Sequence, residues 1–324
     1  MIARVLLTIS AAGVLLRAQS QVLLPSQQIH VGASTIDVTF GSGEFDLPQA
    51  QIINWITHAA DAVAAYFGRF PVASARILIR PVEGRSGVFN GTTWGNRRSA
   101  DAFTRISIGQ RATQADLDDD WMMTHELVHM AFPNIEGRDH HWIEEGMATY
   151  IEPIARAQIG QLSIERVWAD MAKGMPQGLP RAGDEGLDHT HTWGRTYWGG
   201  AIFWLLADIQ IHEETGNKNG LQTAISAIMN AGGTLDHDWS IQRVLEIGDK
   251  AAGCSVLEDL YNQMKDTPVQ TDLNALWKRL GVEMDHGAVK FKDQAPLANI
   301  RKSITAPVQR GASLPAATLT PPAH

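Results

Sequence analysis

Apolar and polar residues alternate through Ile29-His30-Val31 and Thr35-Ile36-Asp37-Val38-Thr39-Phe40, the period of strands, and glycines interrupt the run. At Pro48 the period changes. Ile52, Ile53, Ile56, Ala60, Val63 and Phe67 recur at helical spacing until Gly68 and Pro71 end the run. Residues 75–80, rich in isoleucine, and the alternating residues 103–108 predict two further strands. Between them, residues 88–94 read as a strand or hairpin whose glycines allow close backbone approach. Beyond residue 116 the pattern is almost wholly helical, with segments predicted at 142–158, 163–173, 196–213, 220–231, 239–250, 255–265 and 271–280. A short β-like piece at 289–292 and the segment 295–304 close the pattern. No internal repeat occurs. The fold class expected is α+β: a strand-rich part over 21–115, a helical part over 116–215 and a second helical part over 216–305. Residues 306–324, rich in Pro, Ala and Thr, are expected to be disordered.

Composition places the chain among globular proteins. Of its 324 residues 44% are hydrophobic and 19% charged, enough for a sizeable core. The net charge of −8 would repel phosphates, so no nucleic-acid partner is expected. Arg4, the apolar residues 5–16 and Ala18-Gln19-Ser20 read as a removable export signal over 1–20. That run is too short to span a bilayer comfortably, and no later one is long enough. The expectation is an exported protein, periplasmic or extracellular, with no stable membrane span after signal removal. The single cysteine, Cys254, excludes an intrachain disulfide and reads as a small buried apolar residue.

Chemistry concentrates at His125-Glu126-Leu127-Val128-His129. On a helix, residues four apart stand one above the other, so two imidazoles face the same way and can share one Zn²⁺. Glu126 between them can address metal-bound water. The residues Asp116 to Asp120 supply capping carboxylates for this helix. Zinc sites need a third protein ligand, and the carboxylates of Glu144 and Glu145 are both placed to supply it. Asp139, His140 and His141 lie in the connection between the two segments. A metzincin would need glycine and histidine where Phe132 and Ile135 stand, which excludes that class.

With those residues stated, the chain resembles a gluzincin metallopeptidase, the zincin-like clan in which two motif histidines and a downstream glutamate hold zinc. Trp142-Ile143-Glu144-Glu145-Gly146-Met147-Ala148-Thr149-Tyr150 is similar to the Trp-Leu-x-Glu-Gly-x-Ala-x-Tyr signature of its aminopeptidase-like families. The resemblance implies Zn²⁺ held by His125, His129 and Glu145, Glu126 as general base, and a peptide or protein substrate. Fifteen residues separate His129 from Glu145, somewhat fewer than in those families, and Glu144 remains the alternative ligand. Tyr197-Trp198-Gly199-Gly200 resembles the Tyr-x-Lys-Gly helix of the same families, with Gly199 in place of the lysine. It implies that Tyr197 stabilises the oxyanion. Residues 273–282 and 295–301 look like closing segments of glycyl-aminopeptidase-like members. The Gly-x-Met-Glu-Asn motif that reads a free amino terminus is missing; Gly91-Thr92-Thr93-Trp94-Gly95 occupies about that place. Two other readings compete with a peptidase. One is a non-catalytic zinc-braced module. The other is a metal-free envelope binding protein that uses a cleft of Trp193, Trp198 and Trp204.

Overall fold

The first third of the chain folds into one mixed sheet. The structure, a computed structural model, describes residues 26–95, 102–137, 139–308 and 318–320. β1 (Ser26–Val31) and β2 (Ser34–Phe40) pair antiparallel across Gly32, whose φ of 60° suits glycine. α1 (Gln49–Phe67) crosses over, so that β3 (Ser74–Val82) returns parallel to β2. β4 (Val88–Trp94) and β5 (Ala102–Gly109) complete the region. β5 lies parallel to β3, and β4 is antiparallel to β5 on the outer edge. All strands predicted here are present.

The helical part begins with α2 (Gln114–Asp118) and α3 (Met122–Val128), which ends in a 3₁₀ turn, His129–Ala131. β6 (Asn134–Ile135), α4 (His141–Gln158) and α5 (Ile164–Gly174) follow. A π-helical turn, Arg195–Gly199, runs straight into α6 (Gly200–Glu214). Then come α7 (Leu221–Asn230), β7 (Asp238–Trp239), α8 (Ile241–Ala252), α9 (Val256–Met264) and α10 (Leu273–Leu280). A hairpin of β8 (Val282–Asp285) and β9 (Ala288–Phe291) precedes α11 (Ala298–Ile304). Only its second strand was expected; the turn rests on His286 and Gly287, both at positive φ. α1 is buried over most of its surface, with Asn54 and His58 left exposed, because it lies among β1, α3, α4 and α7, all of which it contacts. One continuous apolar core runs from Ile29 to Ile304.

Three expectations need correction. Cys254, read as buried, is only half-buried, packed against the edge of the core. Asp116 does not cap the histidine helix: it forms a capping box with Thr113 at the start of α2, where Thr113 N donates to Asp116 Oδ2 at 2.8 Å. Asp120 alone serves α3, its Oδ2 accepting from Met123 N at 3.0 Å. Within the expected unstructured tail 306–324, Thr318–Thr320 forms β10 and pairs antiparallel with β1, giving the sheet order β10-β1-β2-β3-β5-β4. The remaining tail from 309 and the export signal expected at 1–20 lie outside the described residues. No helix among the described residues is long and apolar enough to cross a membrane.

Two glycines set the spacing of the helices that matter for the site. A Cβ on Gly146 of α4 would fall 2.4 Å from the Gly200 backbone, and one on Gly200 would fall 2.2 Å from Trp142 O. α4 and α6 therefore touch backbone to backbone. That contact brings the turn carrying Tyr197 alongside the face of α4 that carries Glu145.

Candidate metal centre

α3 presents His125, its 3₁₀ extension presents His129, and α4 brings Glu145 against both. His125 Nε2 lies 3.1 Å from Glu145 Oε2 and 3.3 Å from His129 Nε2, and His129 Nε2 lies 3.5 Å from Glu145 Oε2. Donors about 2.0–2.1 Å from Zn²⁺ at tetrahedral angles stand about 3.3–3.4 Å from one another. The observed edges, from 3.1 to 3.5 Å, bracket that spacing. It is the one group of three or more His, Cys, Asp or Glu side chains with metal-holding spacing among the described residues. The donor set, two imidazoles and a carboxylate, fits zinc with a position left open.

The same geometry binds a proton when no metal competes. Burial disfavours a charged imidazolium at His129, but the Glu145 hydrogen bond and the Glu145, Glu126 and Glu144 charges outweigh it and raise the ring to about 9. Burial likewise favours neutral Glu145. Hydrogen bonds from His125 and His129 prevail and hold its carboxyl far below the ordinary carboxylate range. His125 Nδ1 is buried and finds no hydrogen-bond partner among the described residues.

Glu144 points elsewhere. Its Oε1 accepts from Ile135 N at 2.7 Å, so it ties α4 to β6. His141 Nε2 stands 3.3 Å from the other oxygen of Glu145, on an exposed ring at the cavity rim. His140 Nδ1 lies 3.1 Å from Asp188 Oδ1, an atom that also accepts from Trp142 Nε1 at 2.7 Å. Tyr261 donates to Asp188 Oδ2 at 2.9 Å, so this buried aspartate anchors the start of α4. Asp139 is 3.8 Å from His191, and His189 pairs with Asp266, all at the surface.

Glu126 is buried against the edge strand. Thr93 Oγ1 donates to its Oε2 at 2.7 Å, which leaves Thr104 Oγ1, 2.9 Å away, as the donor to Thr93. A Cβ on Gly91 would fall 2.6 Å from Glu126 Oε1, so only glycine lets the carboxylate lie there. The β4–β5 register shifts between Phe89 and Thr92, a bulge that turns these residues toward α3. Sequence reasoning missed Thr93. Its only signal was a strand with one glycine and two adjacent threonines.

Tyr197 stacks near His125, with ring centroids 6.2 Å apart, and lines the same cavity as all three candidate ligands and Glu126. Burial, the Glu145 and Glu126 charges, and a hydrogen bond to Glu145 push its hydroxyl up to about 12. It is therefore protonated at neutral pH and able to donate. Trp193 stacks on its ring. Trp204, grouped above with a binding cleft, is wholly buried and donates to Ile143 O at 2.9 Å. It belongs to the core.

The sequence matches no family model and no curated protein. Solved structures do resemble it. An aminopeptidase N family protein from Idiomarina loihiensis superimposes with a TM-score of 0.59 at 11% identity, over 83% of this chain and 53% of that one. An M1 zinc metallopeptidase from Deinococcus radiodurans aligns at 0.47 and 14% identity, over 77% of this chain and 52% of that one. A mutant of the same protein aligns at 0.48 and 12%, with coverage of 77% and 53%. This chain thus spans about half the length of the structures it matches. With the sheet in its first part and helices in the remainder, it has a mixed α/β fold similar to that of the Idiomarina protein.

Proposed function

We propose that the protein is a zinc-dependent metallopeptidase that hydrolyses peptide bonds. The triangle of His125 Nε2, His129 Nε2 and Glu145 Oε2 carries this reading, because its edges suit one tetrahedral zinc and Glu126 follows directly on the same helix. Those three residues would hold the ion, which when bound acidifies water and polarises a carbonyl. The catalytic work of the chain falls to two others. Glu126, oriented by Thr93, accepts a proton from the attacking water and hands it to the leaving amine. Tyr197 donates its hydroxyl proton as a hydrogen bond to the oxygen on which negative charge develops. An extended peptide pairs along β4, the outermost strand of the sheet among the described residues, which lines the cavity from Asn90 to Trp94. No carboxylate stands in that segment to read a free amino terminus, so trimming from the amino end is not part of the proposal. In the same reading the export signal over 1–20 delivers the enzyme outside the cytoplasm.

A Glu126→Gln variant tests the assignment. Elemental analysis should find about one zinc per chain in wild type and variant alike. Hydrolysis of a peptide mixture, chelator-sensitive in wild type, should be lost in the variant. Near-wild-type turnover by Glu126→Gln refutes the mechanism. Purified protein that takes up no zinc at all supports the metal-free binding alternative instead.

A further inference from the structure

A second recess opens beside the first. The two share Trp121, His125, Trp193 and Tyr197, and the second runs away from the candidate ligands along one face of α4. Thr149, Glu152 and Arg156 continue the helical stripe that starts at Glu145. The recess encloses about 370 Å³, within the range of small-ligand sites.

Most of the surface it exposes is apolar. Leu162 and Met171 from the α5 region face Pro153 of α4 and the indole of Trp198. A Cβ on Gly174 would fall 2.1 Å from the Trp198 ring, so that glycine is what allows the indole to sit there. The charges around the recess are balanced. Arg156 binds Glu152 at 2.9 Å, and Arg166 bridges Asp170 at 2.5 Å and Asp119 at 3.3 Å. Lys173 is exposed at the rim. The acids that could attract a cationic side chain already have partners.

The mouth is aromatic. Trp121 and Trp193 are 48% and 60% exposed, unusual for residues of that size, and both stand where the two cavities join. Trp193 stacks on Tyr197 with 5.4 Å between centroids, and Trp121 meets His125 edge-on at 5.2 Å. Each leaves indole surface facing the opening, which an apolar group would cover favourably.

We infer that this recess takes a bulky apolar side chain, aromatic or long aliphatic, from the substrate residue adjoining the cleaved bond, with Trp121 and Trp193 as its mouth. Cleavage beside that residue rests on the peptidase reading; apolar occupancy of the recess does not. The test has a binding arm and a cleavage arm. Full-length Glu126→Gln protein in zinc-containing buffer is titrated with capped Ala-Phe-Ala, Ala-Gly-Ala, Ala-Lys-Ala and Ala-Asp-Ala, followed by calorimetry and indole fluorescence. The phenylalanine peptide should bind about tenfold or more tightly than the other three. Wild-type cleavage of a peptide library, read by mass spectrometry, should fall beside Phe, Leu, Met or Trp. Leu162→Trp, which fills the recess from a half-buried position, should reduce the Phe-over-Gly ratio about tenfold. Met171→Ala, which enlarges it, should move the preference toward Trp. Equal binding of the four peptides, or a ratio that neither variant moves, overturns the inference even in an active enzyme. Selective binding with no hydrolysis anywhere retains the recess and removes the peptidase reading.

Discussion

Replacing Gly91 by alanine perturbs the proposed general base without touching a candidate ligand. The backbone of Gly91 is not in the left-handed region, so alanine is accepted there without conformational strain. The new Cβ, however, would lie 2.6 Å from Glu126 Oε1, 2.8 Å from its Cγ and 2.9 Å from its Cδ. Relieving that overlap moves the carboxylate by roughly half an ångström. The 2.7 Å hydrogen bond from Thr93 then stretches past the normal range. A hydrogen bond to a charged acceptor is worth about 1.5–3 kcal/mol, and misplacing a reacting group by about 1 Å can cost about 10²-fold. The expected loss in kcat is therefore about 10- to 100-fold. Zinc content should remain at the wild-type level, because the atoms nearest the new methyl all belong to Glu126, which is not a candidate ligand. The assay is kcat on a fluorogenic peptide, alongside elemental zinc and a thermal melt on the same sample. A variant within twofold of wild type refutes the reasoning: Glu126 would then not be working from its place against β4.

Three further outcomes are expected. Glu145→Ala should lose zinc on dialysis while Glu144→Ala keeps it. The latter instead lowers the melting temperature, since Ile135 N loses its acceptor at a cost of about 1–3 kcal/mol; equal zinc loss in both contradicts the geometry. Tyr197→Phe should reduce kcat by about 10²–10³ with KM and zinc content little changed, and an unaltered kcat removes the tyrosine from the mechanism. Burial raises Asp120 to about 6 and Glu152 to about 7, in both cases against the pull of Arg156. Folded values above the unfolded ones mean that this stability is complete below about pH 4 and is lost as pH rises through 6 to 7. The melting temperature should thus fall from pH 5 to 8. Glu152→Gln should flatten that slope by up to about 3 kcal/mol across the window, and parallel curves for the two proteins contradict the assignment.

Local elements were legible because their causes are local. The alternation at 29–40 and 103–108 became β1, β2 and β5, and the helical runs from 142 onward became helices within a few residues of the expected ends. The pairing of His125 with His129 followed from helix geometry alone, and it survives although the helix tightens to 3₁₀ at His129. The errors were also local in kind. Asp116 looked like a cap for the histidine helix but belongs to the separate helix α2, because its reciprocal partner Thr113 lies upstream. The β8 strand alternates over only four residues, too short a run to stand out in sequence, and pairs with β9.

What the sequence by itself determined is the type and spacing of the chemistry: two imidazoles one helical turn apart, a glutamate between them and carboxylates on the next helix. Tertiary structure alone decided which carboxylate reaches the rings. Glu144 and Glu145 are chain neighbours with nearly the same environment in sequence, yet about 100° of helical rotation sends one to the Ile135 amide and the other to both histidines. That rotation is meaningful only because Gly146 and Gly200 lock α4 against α6. The Thr93 contact to Glu126 and the recess beneath Trp121 and Trp193 arise in the same way. Their residues come from β4, α3, α4, α5 and the π-helical turn, and only packing register brings such distant segments together.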